Sequence, residues 1–207
     1  MLKIWVMPGV LALLLSGCAG MDKSQCLTAD WRTIGFEDGS TGKPETAIGS
    51  YRQDCAEHGV APDLTRYRQG HREGSERFCT QANGFMQGKR GASYQQSCAA
   101  DLEADFLTGY RDGKSLFELQ SSLNNARSAL DKQQRVLKQL EKDISVKTEL
   151  LVEDGLLKDE RINILAEIDE LKAQLVEAAD ALPALAREVS RAERAYQKAE
   201  QRFANYP

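Results

Sequence analysis

From residue 116 onward the chain keeps a seven-residue rhythm. Leu116, Leu123, Leu130, Leu137, Ile144 and Leu151 occupy one heptad position, and Leu119, Ala126, Gln133, Leu140 and Lys147 stand between them. A second register starts at Ile164 and steps by four and three through Ile168, Leu171, Leu175, Ala178, Leu182, Leu185, Val189, Ala192, Tyr196 and Ala199 to Phe203. Sustained heptads with charged flanks predict coiled-coil helices. The two registers do not join in phase, and "VEDGLLKDER" with Gly155 separates them, so the pattern predicts a helical hairpin turning near 154–158. One continuous helix with a phase break is the alternative. Pro183 predicts a kink or a fresh helix start in the second arm.

The preceding half is also helical in period, with no convincing alternating strand. Leu64, Tyr67, Gly70/His71, Gly74, Phe78, Ala82 and Phe85 fall on one face of a helix expected over 63–87. Ile48, Tyr51 and Cys55 share a face over 45–58, which Gly59 is suited to stop. Leu102, Phe106, Gly109/Tyr110 and Gly113 begin another helix near 100, and a fourth is expected over 28–38. The expected class is all-α, a small disulfide-stabilised helical domain followed by a long coiled-coil helical hairpin.

One frame recurs in this half: "GFEDG" at 35–39, "GHREG" at 70–74, "GFMQG" at 84–88 and "GYRDG" at 109–113. Two glycines four apart lie on one helix face, and each costs about 1 kcal/mol against alanine in a helix interior. Close approach of another helix would offset that cost; helix caps and ligand contact are the other readings. The frame lacks the Gly-x-Gly-x-x-Gly phosphate fingerprint, and its Asp-Gly pairs lack the further acidic residues of a calcium loop. Successive frames start 35, 14 and 25 residues apart, so there is no fixed-period array. Trp31, Phe36, Phe85 and Tyr110 are the aromatics that either pack the frames or contact a ligand. Burial decides between the two.

The chain opens "MLKIWVMPGVLALLLSGCAG". Lys3 precedes an apolar run of signal-peptide length, too short to span a bilayer. The run ends Leu15-Ser16-Gly17-Cys18, which resembles the bacterial lipobox. The resemblance implies cleavage after residue 17, acylation of Cys18 and anchoring of the protein to a membrane. Ala19, where an Asp would retain the protein at the inner membrane, implies the periplasmic side of the outer membrane. Twelve of the 16 glycines lie between Gly35 and Gly113 and all five cysteines precede residue 99, so a boundary is expected at 113/114. The organisation read from these features is a leader over 1–17, a Cys/Gly-rich helical domain over 18–113 and a coiled-coil region over 114–207.

Without Cys18, four cysteines remain in an exported chain, which predicts two disulfides. The midpoints of the 26/55 and 79/98 pairs fall in the glycine-rich turns "DGSTGKP" and "QGKRG", which favours Cys26–Cys55 and Cys79–Cys98. A zinc site is the rival, but no Cys-x-x-Cys is present and no metal or cofactor is expected. The formal charge of −4 is spread evenly and leaves no basic stripe for nucleic acid.

Further motifs carry a resemblance. They are Trp-x-x-x-Gly-aromatic-x-Asp-Gly from Trp31, Tyr-x-x-x-Cys from Tyr51 and from Tyr94, and Tyr-x-x-Gly-x-x-x-Gly from Tyr67. With Cys-x-x-x-x-Gly-aromatic-x-x-Gly from Cys79 and Phe-x-x-Gly-Tyr-x-x-Gly from Phe106, the chain resembles the bacterial lipoprotein family known as domain of unknown function 2799. The resemblance implies location and fold and carries no catalytic residues. His58 and His71, the only histidines, read as structural or exposed, and no hydrolase motif appears. The function expected is a non-enzymatic envelope scaffold or adaptor whose coiled coil finds a protein partner or a second copy. A module binding cell-wall glycan or peptide is the alternative, and an envelope hydrolase a distant third.

Overall fold

A computed structural model describes residues 20–206, which are helical with no strand among them. The expected leader and Cys18 lie outside the described residues. The helices are α1 (Lys23–Thr28), α2 (Trp31–Thr41), a 3-10 turn (Glu45–Ala47), α3 (Ile48–Ala56), α4 (Leu64–Phe78), α5 (Gln81–Lys89), α6 (Ala100–Leu151) and α7 (Lys158–Arg202).

The helix expected over 28–38 is α2, preceded by a short α1 that was not expected, and the one expected over 63–87 is two helices. Asp30 caps α2 by accepting from the Arg32 N–H, which separates α2 from α1. Thr80 does the same for α5, its hydroxyl accepting from the Asn83 N–H at 3.2 Å, so the face read as continuous over 63–87 breaks at Cys79–Thr80. The chain divides into two compact units, one holding the described residues up to Cys79 with Gln95–Leu102, the other Thr80–Tyr94 with the chain from Glu103. The division is therefore not at 113/114. Residue 114 lies inside the unbroken helix α6, where glycines that admit a backbone give way to heptad side chains without any end of a domain.

In the first unit the disulfide Cys26–Cys55 lies in a core with Trp31, Ile48 and Tyr67. The second disulfide, Cys79–Cys98, belongs to the same unit. Neither clamps a simple two-helix hairpin. Cys26–Cys55 joins α1 to α3, with α2 between them in sequence, and Cys98 lies in the turn before α6.

The glycine frames form the helix crossing. A β-carbon on Gly70 of α4 would lie 1.8 Å from the Arg32 carbonyl oxygen of α2, and one on Gly35 2.1 Å from that of Tyr67. Gly39 and Gly74 would meet His71 and Phe36 carbonyl oxygens at 2.2 Å. No other residue lets the two backbones approach so closely.

The second unit repeats this crossing with α5 and α6. Gly84 and Gly88 meet the carbonyl oxygens of Phe106 and Tyr110 at 2.1 Å, and Gly109 and Gly113 meet those of Gln81 and Phe85 at 2.0 and 2.1 Å. The correspondence is position by position. Gly35, Phe36 and Gly39 match Gly84, Phe85 and Gly88, while Tyr67, Gly70, His71 and Gly74 match Phe106, Gly109, Tyr110 and Gly113. It extends to the left-handed Gly42 and Gly91, which abut the Phe78 and Phe117 rings respectively. His71 Nε2 bonds the Lys43 carbonyl at 2.8 Å, and the matching Tyr110 hydroxyl donates to the Ala92 carbonyl at 2.7 Å. The domain is thus built from a duplicated pair of crossed helices.

Beyond the crossing, α6 and α7 form the expected antiparallel hairpin. Arg127 pairs with Glu193 at 2.7 Å, Gln133 donates to the Ala178 carbonyl at 2.9 Å and Lys147 pairs with Glu167. The seam buries Leu116, Leu123, Ala126 and Leu140 of α6 and Ile164, Ile168 and Ala178 of α7, all heptad positions. Gly155 turns the chain with φ 91°, and Arg161 donates to the Leu151 and Glu153 carbonyls left open at the end of α6. Pro183 neither breaks nor restarts α7. Its ring faces solvent, as does Ala179, so the carbonyl that loses its partner can meet water. Spin labels at Lys132 and Asp180, which flank the Gln133–Ala178 contact, should report a separation of roughly 10–20 Å; a single straight helix would separate them by roughly 70 Å.

Candidate functional site

The densest group of ionisable side chains surrounds Asp38 on α2. The crossing positions it: glycines on either side bring α4 close enough for Tyr67 to reach across. Asp38 is 3% exposed, and its carboxylate accepts from the Tyr67 hydroxyl at 2.9 Å, the Tyr51 hydroxyl at 3.2 Å and Lys43 Nζ at 2.7 Å. Burial, then the bond to Asp38, pushes the Tyr67 hydroxyl far above its ordinary value. Burial raises Tyr51 as well, and the hydrogen bond to Asp38 holds Lys43 upward as a cation. Both phenols are thereby fixed as donors. Trp31, Tyr51, Tyr67 and His71 follow one another ring against ring, at centroid separations of 6.2, 6.3 and 5.9 Å.

An open groove of about 670 Å³ lies in front of this cluster, with Met21, Ala29, Ile34 and Tyr51 as apolar wall and Asp38 and Lys43 at one side. Further along the same face of α4, Ser75 and His71 are buried together, with the Ser75 hydroxyl 3.3 Å from Nδ1 while Nε2 faces the Lys43 carbonyl. With Nε2 as the donor to the Lys43 carbonyl, Nδ1 accepts a hydrogen bond from the Ser75 hydroxyl, and both groups are satisfied within the fold. His58 lies in the turn after α3. Among the described residues no group of three His, Cys, Asp or Glu could hold a metal ion, and no helix is long and apolar enough to cross a membrane.

The four aromatics singled out from sequence are engaged in packing. Trp31 and Phe85 are buried. Phe36 is half-buried beneath the Arg77 guanidinium, 5.0 Å from its ring centroid, and Tyr110 is held by its bond to Ala92. Sequence reasoning did not find what covers Phe85. The end of the second arm returns to it, with Tyr206 stacked at 4.0 Å and Phe203 at 5.5 Å. The Tyr206 hydroxyl accepts from Gln81 Nε2 at 3.1 Å and donates to Asp112 at 2.9 Å. Two aromatics near the chain end were the available signal; their target on α5 had none.

These features define an all-α protein in which a duplicated pair of glycine-crossed helices, disulfide-tied in its first unit, continues into an antiparallel helical hairpin. Residues 30–115 match the model of the family described as Protein of unknown function (DUF2799). That stretch includes all four glycine frames and ends within α6. No curated protein and no solved structure matches the chain.

Proposed function

We propose that the protein is a lipid-anchored lipoprotein on the periplasmic side of the outer membrane, acting as a non-enzymatic scaffold or adaptor whose hairpin engages a protein partner. The observation that carries the reading is apolar surface left over after the hairpin has closed its seam. Val146, Val152, Leu157, Ile162, Leu165 and Val176 are 48–78% exposed, and five of them lie within residues 146–165, around the turn. Concentrated apolar exposure of this kind marks interaction surface. A photo-crosslinking residue at Leu157 should form a discrete adduct with one envelope protein in intact cells, Ile162→Asp should weaken that adduct, and the same probe at buried Leu123 should give none. Absence of an adduct at every turn position would overturn the reading.

The lipobox residues support the anchor. Cys18→Ser should leave an uncut precursor that takes up no radiolabelled palmitate; continued labelling would refute the anchor. The engagement of Trp31, Phe85 and Tyr110 in packing supports the scaffold over a module binding cell-wall glycan or peptide. The self-satisfied Asp38 and Ser75–His71 groups support a non-enzymatic role.

A further inference from the structure

The duplication allows one copy of the fold to be read against the other. On the second copy the Phe85 ring is covered by Phe203 and Tyr206, and the Tyr206 hydroxyl sits between a donor, Gln81, and an acceptor, Asp112. The matching positions on the first copy are Phe36, Arg32 and Glu73, which the crossing contacts align with Phe85, Gln81 and Asp112. The donor–acceptor polarity is retained, with a guanidinium in place of the amide and a carboxylate in place of the carboxylate. Without a hydroxyl between them, the two have closed on each other, Arg32 donating to both Glu73 oxygens at 2.8 and 3.0 Å. Phe36 is half-buried where Phe85 is 6% exposed. Where the second copy has the buried Leu116, the first has Arg77, lying over the Phe36 ring.

We infer that the Phe36 face of α2 and α4 is a docking site for a partner protein's helix end that carries a tyrosine with a second aromatic three residues before it. Phe203-x-x-Tyr206 is the resident example of that ligand on the equivalent face. The partner's tyrosine ring lies on Phe36, and its hydroxyl enters between Arg32 and Glu73. Opening that ion pair is a small obstacle, because ion pairs between exposed side chains contribute little to stability. Arg77 then faces the second aromatic ring, a contact its guanidinium already makes with Phe36. The site lies wholly in the first unit and is independent of the hairpin surface.

The test uses the full chain and a fluorescent peptide of its own residues 195–206, AYQKAEQRFANY, as probe. Saturable binding is expected, with at least a tenfold loss for Phe36→Ala and for a peptide whose final tyrosine is replaced by phenylalanine. The double variant R32Q/E73D installs the second copy's donor and acceptor and abolishes the ion pair. It should bind at least threefold more tightly, a gain that misfolding cannot produce. The proposal is overturned by the absence of saturable binding, or by binding that survives Phe36→Ala and is lost with Phe85→Ala, which would mean the probe merely displaces the resident tail. It is also overturned if sedimentation shows the unlabelled chain self-associating through Phe36, which would make the occupant a second copy.

Discussion

Replacing Gly70 with alanine should destabilise the protein by about 3 kcal/mol or more, at the upper end of what overpacking a core position costs. The added methyl would lie 1.8 Å from the Arg32 carbonyl oxygen and 2.7 Å from its carbon. These are backbone atoms at the centre of the crossing, so no side-chain rotation relieves the clash. The α2 and α4 axes must part instead, which forfeits dispersion contacts along the whole crossing and stretches the reach of Tyr67 to Asp38. Gly49→Ala is the matched control. It lies in α3, its β-carbon would meet nothing within 4 Å and its φ needs no glycine, so alanine should add stability by about 0.5–1 kcal/mol through helix propensity. Denaturant unfolding of the disulfide-intact variants checks both. A Gly70→Ala midpoint close to that of the parent would show that the frames do not hold the crossing.

The same comparison shows what could be read in the sequence. Eight glycines that are costly in isolated helices implied a close partner, and heptads out of phase across Gly155 implied a hairpin, because both signals are local. The duplication was hidden in plain counts. Frames start 35 residues apart in the first copy and 25 in the second, so no constant period exists although every crossing contact recurs. Between the copies, Tyr67 becomes Phe106 and His71 becomes Tyr110, leaving glycines and aromatics as the shared letters. The Asp38 cluster had no motif either, since its partners come from 5, 13 and 29 residues away and only the fold gathers them. Composition marked a change at 114 that is a change in how one helix packs.

Asp38→Ala is the second large effect expected, a loss of about 3 kcal/mol or more, because it strands the hydroxyl of a fully buried tyrosine and breaks a buried ionic group. Tyr67→Phe should cost less, about 1–2 kcal/mol, since the carboxylate keeps Tyr51 and Lys43. The combined variant should be more stable than the two losses added together, for the second change removes the group that the first leaves unpaired. The second copy carries Gln87 and Phe106 at the matching positions, so the crossing itself tolerates the absence of this ion. Alkaline pH tests the same contact differently. Tyr67 ionises at its ordinary value of 10 when unfolded but well above that when folded, so the folded state binds the proton more tightly. Its contribution is complete below pH 10 and is lost as pH rises from there toward the folded value, at up to about 1.4 kcal/mol per pH unit. Between pH 10 and 12 the parent should therefore lose stability more steeply than Tyr67→Phe, with the other raised groups, Tyr51 and Lys43 beside Asp38 and Tyr196 and Tyr206 elsewhere, supplying the slope that remains. Parallel curves for the two proteins across that range would show that the Tyr67 hydroxyl is not held by Asp38 in the folded state.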